Sequence, residues 1–526
     1  MRNRKKRPMG VTIKKVVLHN FKKFKDFSAD FRDGKNIIVG ENGSGKSTLL
    51  TAIDLTLSAS FAKVEHIGFE NLFNTDSIEH FKKLSKGERC FPKLPILSVD
   101  IYLKGLERHE FDGYTNHKRD SDCGIRLEIT PDSEYAEIIN NILLGSDVFP
   151  FEYYKVSYRT FSAKPYDKYH KILSNILIDN SEINGEYAKR EYIKGIYYDR
   201  ISEVDRIRLQ HSFRDKNEEF SARNLKYDSS SEIPSFKIPS INKYSLENQI
   251  QIYHGNINID NKGKGIQNLI KTRFALKKTQ DHQNKIILIE EPENHLSALN
   301  MQKLISEVYN YSNGQMFITT HNNMIASRLG LENLLILSKA ALSTKLSGLT
   351  PDTSKFFIKA PNNNILNFVL SHKVILVEGH AEYILMERFI SDLLEADKVN
   401  DIQIISVNGI SFKRYLEVAN LLQIRTVVIA DNDGDYEKNC NKKYRDYNNI
   451  KYIKIFAPTD NSLSTFEKAI YAANKELCLT LFGKGEDCTL TYMLSNKTEC
   501  AYKLLKDEGV IVIPEYIKEA IKWIND

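Results

Sequence analysis

The chain has 526 residues, 41% of them hydrophobic and 27% charged. A single core stops growing at about 250–300 residues, so more than one domain is expected. The formal charge of +6 is mild for this length and neither demonstrates nor excludes a nucleic-acid partner. No segment approaches the roughly 20 uninterrupted apolar residues of a membrane helix. The basic start (Arg2, Arg4, Lys5, Lys6, Arg7) lacks the apolar stretch of a signal peptide, so the expectation is a soluble cytoplasmic protein with no membrane partner. Cys90, Cys123, Cys440, Cys478, Cys488 and Cys500 are scattered, with no pair at zinc or redox spacing, and read as reduced thiols.

In chain order, Val11-Thr12-Ile13, Val16-Val17-Leu18 and Asn20-Phe21 predict an edge strand and turn. Lys35 to Val39 predicts a short strand running into a glycine loop. Thr48 to Ser58 predicts a helix with Leu49, Leu50, Ile53 and Leu57 on its apolar face. From about Ser60 to Asp260 the pattern is irregular. Within it, Tyr169, Ile172, Leu173, Ile176 and Leu177 fall at helical spacing and predict a packed helix. The serine-rich stretch Asp228 to Asn242 predicts a loop or linker. Ile286 to Ile289 predicts a strand, Leu296 to Tyr309 a helix and Met316 to Thr319 a further strand. Pro361-Asn362-Asn363-Asn364 marks a boundary, after which strands and helices alternate as in a parallel sheet with crossover helices.

Gly40-Glu41-Asn42-Gly43-Ser44-Gly45-Lys46-Ser47 fits the phosphate-loop pattern, with a strand before it and a helix after it. Backbone N–H groups of Asn42, Gly43 and Gly45, with Thr48 in the first helical turn, can curl around phosphates at a helix N-terminus. Lys46 would reach the outer phosphates of ATP, and Ser47 would bind Mg²⁺. The apolar strand Ile286-Ile287-Leu288-Ile289 ends in Glu290-Glu291-Pro292-Glu293, which supplies the second half of such a site. Glu290 is expected to hold the metal's water shell and Glu291 to polarise the attacking water. His321, just past a strand, is a candidate contact to the γ-phosphate.

Two later apolar strands also stop on carboxylates. Val374 to Val377 ends in Glu378-Gly379-His380-Ala381-Glu382, and Thr426 to Ala430 ends in Asp431-Asn432-Asp433-Gly434. In a parallel sheet, the carboxyl ends of neighbouring strands converge on one edge, so Glu378 and Asp431 are expected side by side. Asp433 can turn toward the same place, Glu382 lies one helical turn after Glu378, and Glu467 follows in Ser464-Thr465-Phe466-Glu467. Clustered carboxylates repel unless a cation is present, and oxygen-only ligation selects Mg²⁺ or Mn²⁺ over zinc. Any one of these acids alone would be an ordinary solvated strand end. The ordered set points to in-line cleavage of a phosphodiester.

The phosphate loop, the Glu290-Glu291 strand and Asn20-Phe21 with Phe24 resemble ABC-type ATPases of the chromosome-maintenance and repair branch. Glu290-Glu291-Pro292-Glu293-Asn294-His295-Leu296 is more similar still to the OLD (overcoming lysogenization defect) nucleases. Gly263-Lys264-Gly265-Ile266-Gln267 sits where that family's signature loop belongs, departing from the serine-led pattern of transporters. The Glu-Gly pair, the Asp-x-Asp pair and Ser406-Val407-Asn408-Gly409 resemble a Toprim domain. The resemblance implies an α/β fold: an ABC-type P-loop ATPase domain with a helical insert (residues 1–365, insert or dimerisation region about 100–260), then a Rossmann-like Toprim nuclease domain (366–526). It further implies Lys497 near the scissile phosphate, ATPase heads that meet across nucleotide in a homo-oligomer, and a role in bacterial phage defence. Relatives work beside a helicase-like protein or a retron reverse transcriptase.

The expected function is therefore an ATP-regulated, metal-dependent endonuclease acting on DNA, with the choice between DNA and RNA left open by the motifs. An ATP-operated clamp or sensor whose Toprim site does not cut is the alternative. A topoisomerase would need a strand-attacking tyrosine in a dedicated module, and none is apparent. Tyr153, Tyr154, Lys155, Tyr158, Arg159 and Lys164 interleave aromatic and basic residues as a base-stacking surface would, but buried rings with a charged outer face explain them better.

Overall fold

In the computed structural model, the described residues are 10–167, 171–179, 193, 197, 201–224, 246, 250–251, 253–254, 256–258, 261–278, 285–311, 314–338, 343–346, 348–360, 364–409, 411–507 and 509–526. The Asp228–Asn242 linker expectation and residues 361–363 of the expected boundary lie outside them. Two compact units emerge: Met1–Thr320 with Leu337–Ser343, and His321–Ile336 with Thr344–Asp526. Among the described residues, no helix is long and apolar enough to cross a membrane.

The first unit holds an antiparallel sheet in which β1 (Thr12–Phe21) runs between β2 (Phe24–Asp30) and β4 (Leu97–Lys104). Val17 pairs with Ser28 on one side and Asp100 on the other. β1 is thus an interior strand, not the edge its pattern predicted; the second partner arrives from more than seventy residues downstream and leaves no local mark. β5 (Asp122–Pro131) and β6 (Tyr154–Thr160) extend the sheet beyond β4. The stretch that read as irregular therefore supplies four of its strands, counting the short Asp112–Gly113 strand paired with β5. Its alternation is masked because β4 is buried on both faces, including Asp100, which faces Arg126 at 3.0 Å.

The unit's parallel sheet is built from β3 (Lys35–Gly40), β7 (Ser174–Asp179), β8 (Lys285–Glu290) and β9 (Gln315–Thr319). β9 pairs with β3 and β8, and β8 continues to β7, with Leu288 level with Phe317 and Leu177. The helix expected over Tyr169–Leu177 is overturned: Ile176 and Leu177 lie in strand β7, and Tyr169 is outside the described residues. Four apolar residues at adjacent and i+4 spacing suit a helix face, but they suit a fully buried strand as well. The unit's helices include α1 (Lys46–Ser58), α2 (Glu203–Asn224), α3 (Lys264–Lys278) and α4 (Ala298–Asn310).

The second unit has a four-stranded parallel sheet of β10 (Lys373–Val377), β11 (Ile402–Ser406), β12 (Arg425–Ile429) and β13 (Ile453–Phe456), ordered β11-β10-β12-β13. Its helices include α5 (His380–Leu393), α6 (Phe412–Leu422), α7 (Phe466–Ala473), α8 (Lys497–Lys506) and α9 (Glu515–Asn525). The core joins Ile375 and Val377 of β10, Val427 and Ile429 of β12, Leu385 and Phe389 of α5, and Ile517 and Ile521 of α9. Continuous apolar strands fit a sheet with both faces covered. β10 and β12 are neighbours, in register from Lys373–Arg425 to Leu376–Val428, so their carboxyl ends open at one place.

Candidate active site

The phosphate loop leads from β3 into α1. Gly45 has φ 102°, and a Cβ there would stand 2.3 Å from the Phe24 ring, so only glycine lets the loop lie on β2. Phe24 in turn stacks on Phe27, 4.3 Å between centroids. Lys46 is buried, and its Nζ donates to the carbonyls of Gly40 (2.9 Å) and Glu41 (3.1 Å). Burial pulls its ammonium below the usual lysine value, while Glu291, Glu293 and Glu290 pull the other way. Asn42 and Gly43 lie in the loop, and Ser47 and Thr48 in the first turn of α1.

Glu290 ends β8, and Glu291 follows in the left-handed region at φ 41°, a backbone state that a non-glycine residue holds only where its surroundings impose it. Those surroundings are visible. The Glu291 amide donates to the Thr319 carbonyl at 3.1 Å, and Asn294 Nδ2 donates to Glu291 Oε2 at 3.1 Å. Glu293 accepts Thr320 Oγ1 at 2.6 Å. β8 is separated from β3 by β9 alone, so these acids and the loop share one sheet edge. His321 follows Thr320 directly and opens the second unit. Gly263 precedes α3, and a Cβ on Gly265 would lie 2.1 Å from the His295 carbonyl oxygen. The signature segment is thus the start of a helix pressed on the Glu291–Leu296 turn. Two nearby lysines escaped the sequence reading. Lys23 Nζ donates to the Gly43 carbonyl at 2.5 Å, and burial lowers the Lys22 pKa against the field of Glu290.

In the second unit, Glu378 leaves β10 and Asp431 leaves the β12 end, and the Asp431 amide donates to Glu378 Oε1 at 3.3 Å. Glu382 is buried in the first turn of α5, with its Oε2 over Gly379. Glu467 is buried in the first turn of α7, and Lys497, the first residue of α8, meets its Oε2 at 3.0 Å. Glu467 Oε1 has no hydrogen-bond partner among the described residues. Asn432 is fully buried between the two aspartates. Its Nδ2 donates to the Pro458 (2.7 Å) and Asp460 (2.9 Å) carbonyls, and its Oδ1 accepts the Gly434 amide. That clamp, with the Asp433 amide on the Ser464 carbonyl, holds Asp433 exposed at φ 49°.

The electrostatics are those of crowded carboxylates. Burial, then Glu378, Glu382 and Glu467, push the Asp431 carboxyl up to about 8. Burial raises Glu378, to which Asp433 adds, and raises Glu382, to which Glu467 and Glu378 add. Burial alone would lower Lys497, but its bond to Glu467 and the charges of Glu467, Asp431 and Glu382 raise it. Tyr516, on α9, is a further neighbour without a sequence signal: burial and then the same carboxylates hold its hydroxyl well above its usual value. The donor chemistry fits a hard divalent cation, since buried oxygens short of positive charge are what such an ion satisfies. Among the described residues, however, no three His, Cys, Asp or Glu side chains are closed into a metal cage.

The basic-aromatic segment does not form part of either site. Tyr154 and Tyr158 are buried, with hydroxyls on the Pro95 and Ser60 carbonyls, while Lys155 pairs with Asp132 at 2.8 Å. Rings inward and charges outward is ordinary sheet packing.

A phosphate-loop head followed by an acid-edged parallel sheet defines an ATPase–Toprim protein. The chain belongs to the AAA ATPase domain family, whose model matches residues 12–326, and residues 369–433 match the model of the overcoming lysogenization defect protein-like TOPRIM domain. It is 23% identical over 453 residues to Endonuclease GajA of Bacillus cereus (strain VD045), covering 80% of this chain and 74% of that one. The solved structure of the recombination mediator protein RecF with ATP matches 64% of this chain and 100% of its own at 13% identity and a TM-score of 0.34. The C-terminal region of the Burkholderia pseudomallei OLD protein matches 30% of this chain and 97% of its own, at 17% identity and a TM-score of 0.24. Neither score carries weight in the fold assignment, which stands on the family matches and the sheet topologies.

Proposed function

We propose that this protein is an ATP-regulated, divalent-metal-dependent endonuclease that cleaves phosphodiester bonds in DNA, acting as a homo-oligomer in bacterial phage defence. The observation that carries the nuclease reading is the gathering of Glu378, Glu382, Asp431, Asp433 and Glu467, with Lys497 among them, at the carboxyl edge of one parallel sheet. The similarity to an endonuclease over most of the chain supports it. Glu378, Glu382, Asp431, Asp433 and Glu467 would hold Mg²⁺ or Mn²⁺, which when bound supplies charge neutralisation and polarisation of water and phosphate. Within this chain, Lys497, paired with Glu467 at the same edge, would offer a positive charge to the phosphate and to the leaving sugar oxygen as negative charge builds there. The Asn432 clamp keeps both aspartates aimed without a reorganisation cost.

In the ATPase unit, Lys46, Ser47 and the loop amides would hold ATP with Mg²⁺, and Glu290 and Glu291 would serve its hydrolysis. The test is cleavage of DNA by the full chain with Mg²⁺ or Mn²⁺. Asp431→Ala with Asp433→Ala is expected to abolish cutting; undiminished cutting by that variant would sink the assignment.

A further inference from the structure

Between Asp433 and β13 lies a segment that the acid site does not use. Residues 435–454 carry six cations (Lys438, Lys442, Lys443, Arg445, Lys451, Lys454) against three acids (Asp435, Glu437, Asp446). Lys438, Lys442, Lys443 and Arg445 are all exposed, and among the described residues the ion pairs of the second unit go to other lysines and arginines. Exposed cations that make no ion pair remain available to an anionic partner.

The segment is also built to hold them still. Residues Glu437–Lys442 form a π-helical turn, a form uncommon outside functional sites. The Lys443 amide bonds the Lys438 carbonyl at 3.3 Å, five residues back, which stacks those two lysines one turn apart. Asn439 Nδ2 donates to the Asn432 carbonyl at 3.0 Å, and Cys440 Sγ lies 3.7 Å from the Asp431 carbonyl, so the turn is tied to the Asp431–Asp433 loop itself. Tyr444 is 1% exposed and packs on Phe412, and Tyr447 donates to the Lys413 carbonyl.

We propose that Lys438, Lys442, Lys443 and Arg445 form a platform that grips the phosphate backbone of a nucleic-acid duplex and seats it beside the acid cluster. The inference rests on the nuclease reading of that cluster and names the shape of its substrate. Single-strand binders need exposed rings on which bases stack. Here no tyrosine ring of residues 435–454 is fully exposed: Tyr444 is buried, and Tyr436, Tyr447 and Tyr452 are half-buried. Exposed cations set among rings that are buried or half-buried read charge spacing, and a duplex presents that spacing most densely.

The test is fluorescence anisotropy on the full chain in EDTA, with a 30-base-pair DNA duplex, the same sequence as an RNA duplex, and a single-stranded oligothymidine. Neutralising all four (K438Q, K442Q, K443Q, R445Q) is expected to weaken duplex binding at least about tenfold near 0.15 M salt. It should also cut the slope of log affinity against log salt by about 2 to 4. K438R, K442R and K443R together should keep wild-type affinity and slope, and the duplex that loses most on neutralisation identifies the nucleic acid. Unchanged duplex affinity and slope in the quadruple variant, with its thermal midpoint intact, would overturn the platform. Equal losses on oligothymidine would overturn its duplex preference. Binding in EDTA is independent of cutting. A wild-type protein that cuts nothing with Mg²⁺ or Mn²⁺ would therefore end the nuclease reading, while this measurement still decided the platform.

Discussion

Replacing Asp431 by Asn should disable the acid site and at the same time stabilise the metal-free protein. The Asp431 carboxyl titrates at about 8 in the fold and near 3.9 in an unfolded chain. The folded state therefore binds the extra proton between those two values, so stability falls as pH rises from about 4 to 8 and is flat above. At 1.36 kcal/mol per pH unit, the gap of about four units sets an upper bound of about 6 kcal/mol at pH 9 and about 4 at pH 7. Relaxation and water entry reduce such penalties, and about 2 kcal/mol is the working expectation. Asparagine is neutral in both states and loses the whole term. Calorimetry of the full chain in EDTA at pH 7.5 should show the transition of the second unit rising by about 4–8 °C in Asp431→Asn. The difference should shrink toward zero near pH 4. Millimolar Mg²⁺ should reverse the order, because the wild type gains binding free energy that the variant lacks. A variant melting at or below the wild type in EDTA across pH 6–9 would refute the picture of crowded, charge-starved carboxylates.

Other perturbations address the remaining parts. Lys46→Ala removes the ammonium lying on the Gly40 and Glu41 carbonyls; phosphate release from ATP is expected to fall at least about a hundredfold. Cleavage measured on the same variant separates the two roles for nucleotide, since lost cutting means ATP drives the nuclease and increased cutting means ATP restrains it. Gly265→Ala sets a Cβ 2.1 Å from the His295 carbonyl oxygen, so α3 must shift; the first unit should lose about 1–3 kcal/mol, read as a lower thermal midpoint with reduced ATP turnover. Lys497→Met strips the cation from buried Glu467, and single-turnover cleavage should drop at least about tenfold while Lys497→Arg recovers part of it.

The elements that carry chemistry were legible because each has a local signature. A strand that ends on a glycine loop, or on paired carboxylates, is written within ten residues, and β3, β8, β10 and β12 all appear where those runs lie. What was hidden depends on partners distant in the chain. The apolar run that became β7 cannot declare itself a strand until Lys285–Glu290 lies alongside it, about 110 residues later. The interior position of β1 depends in the same way on Leu97–Lys104.

The acid site shows the same division at finer scale. Glu378, Asp431 and Asp433 follow from strand order alone, but Glu467 and Lys497 meet only because two helix starts, on α7 and α8, are packed together. Tyr516 enters from a third helix with no motif at all. The lysines of residues 438–443 were visible as composition and carried no meaning there. Sequence spacing assigns faces by a period of 3.6 or 2, and a π-helical turn obeys neither. Only the Lys443–Lys438 backbone bond, and the tie from Asn439 to the Asp431–Asp433 loop, turn a charged stretch into a surface with a position. That position, beside carboxylates that repel any polyanion, is where cations are needed if a phosphodiester is to approach. If the acid site cleaves nucleic acid as proposed, the clustered acids and the basic turn divide one electrostatic task, the acids for a cation and the turn for the polyanion.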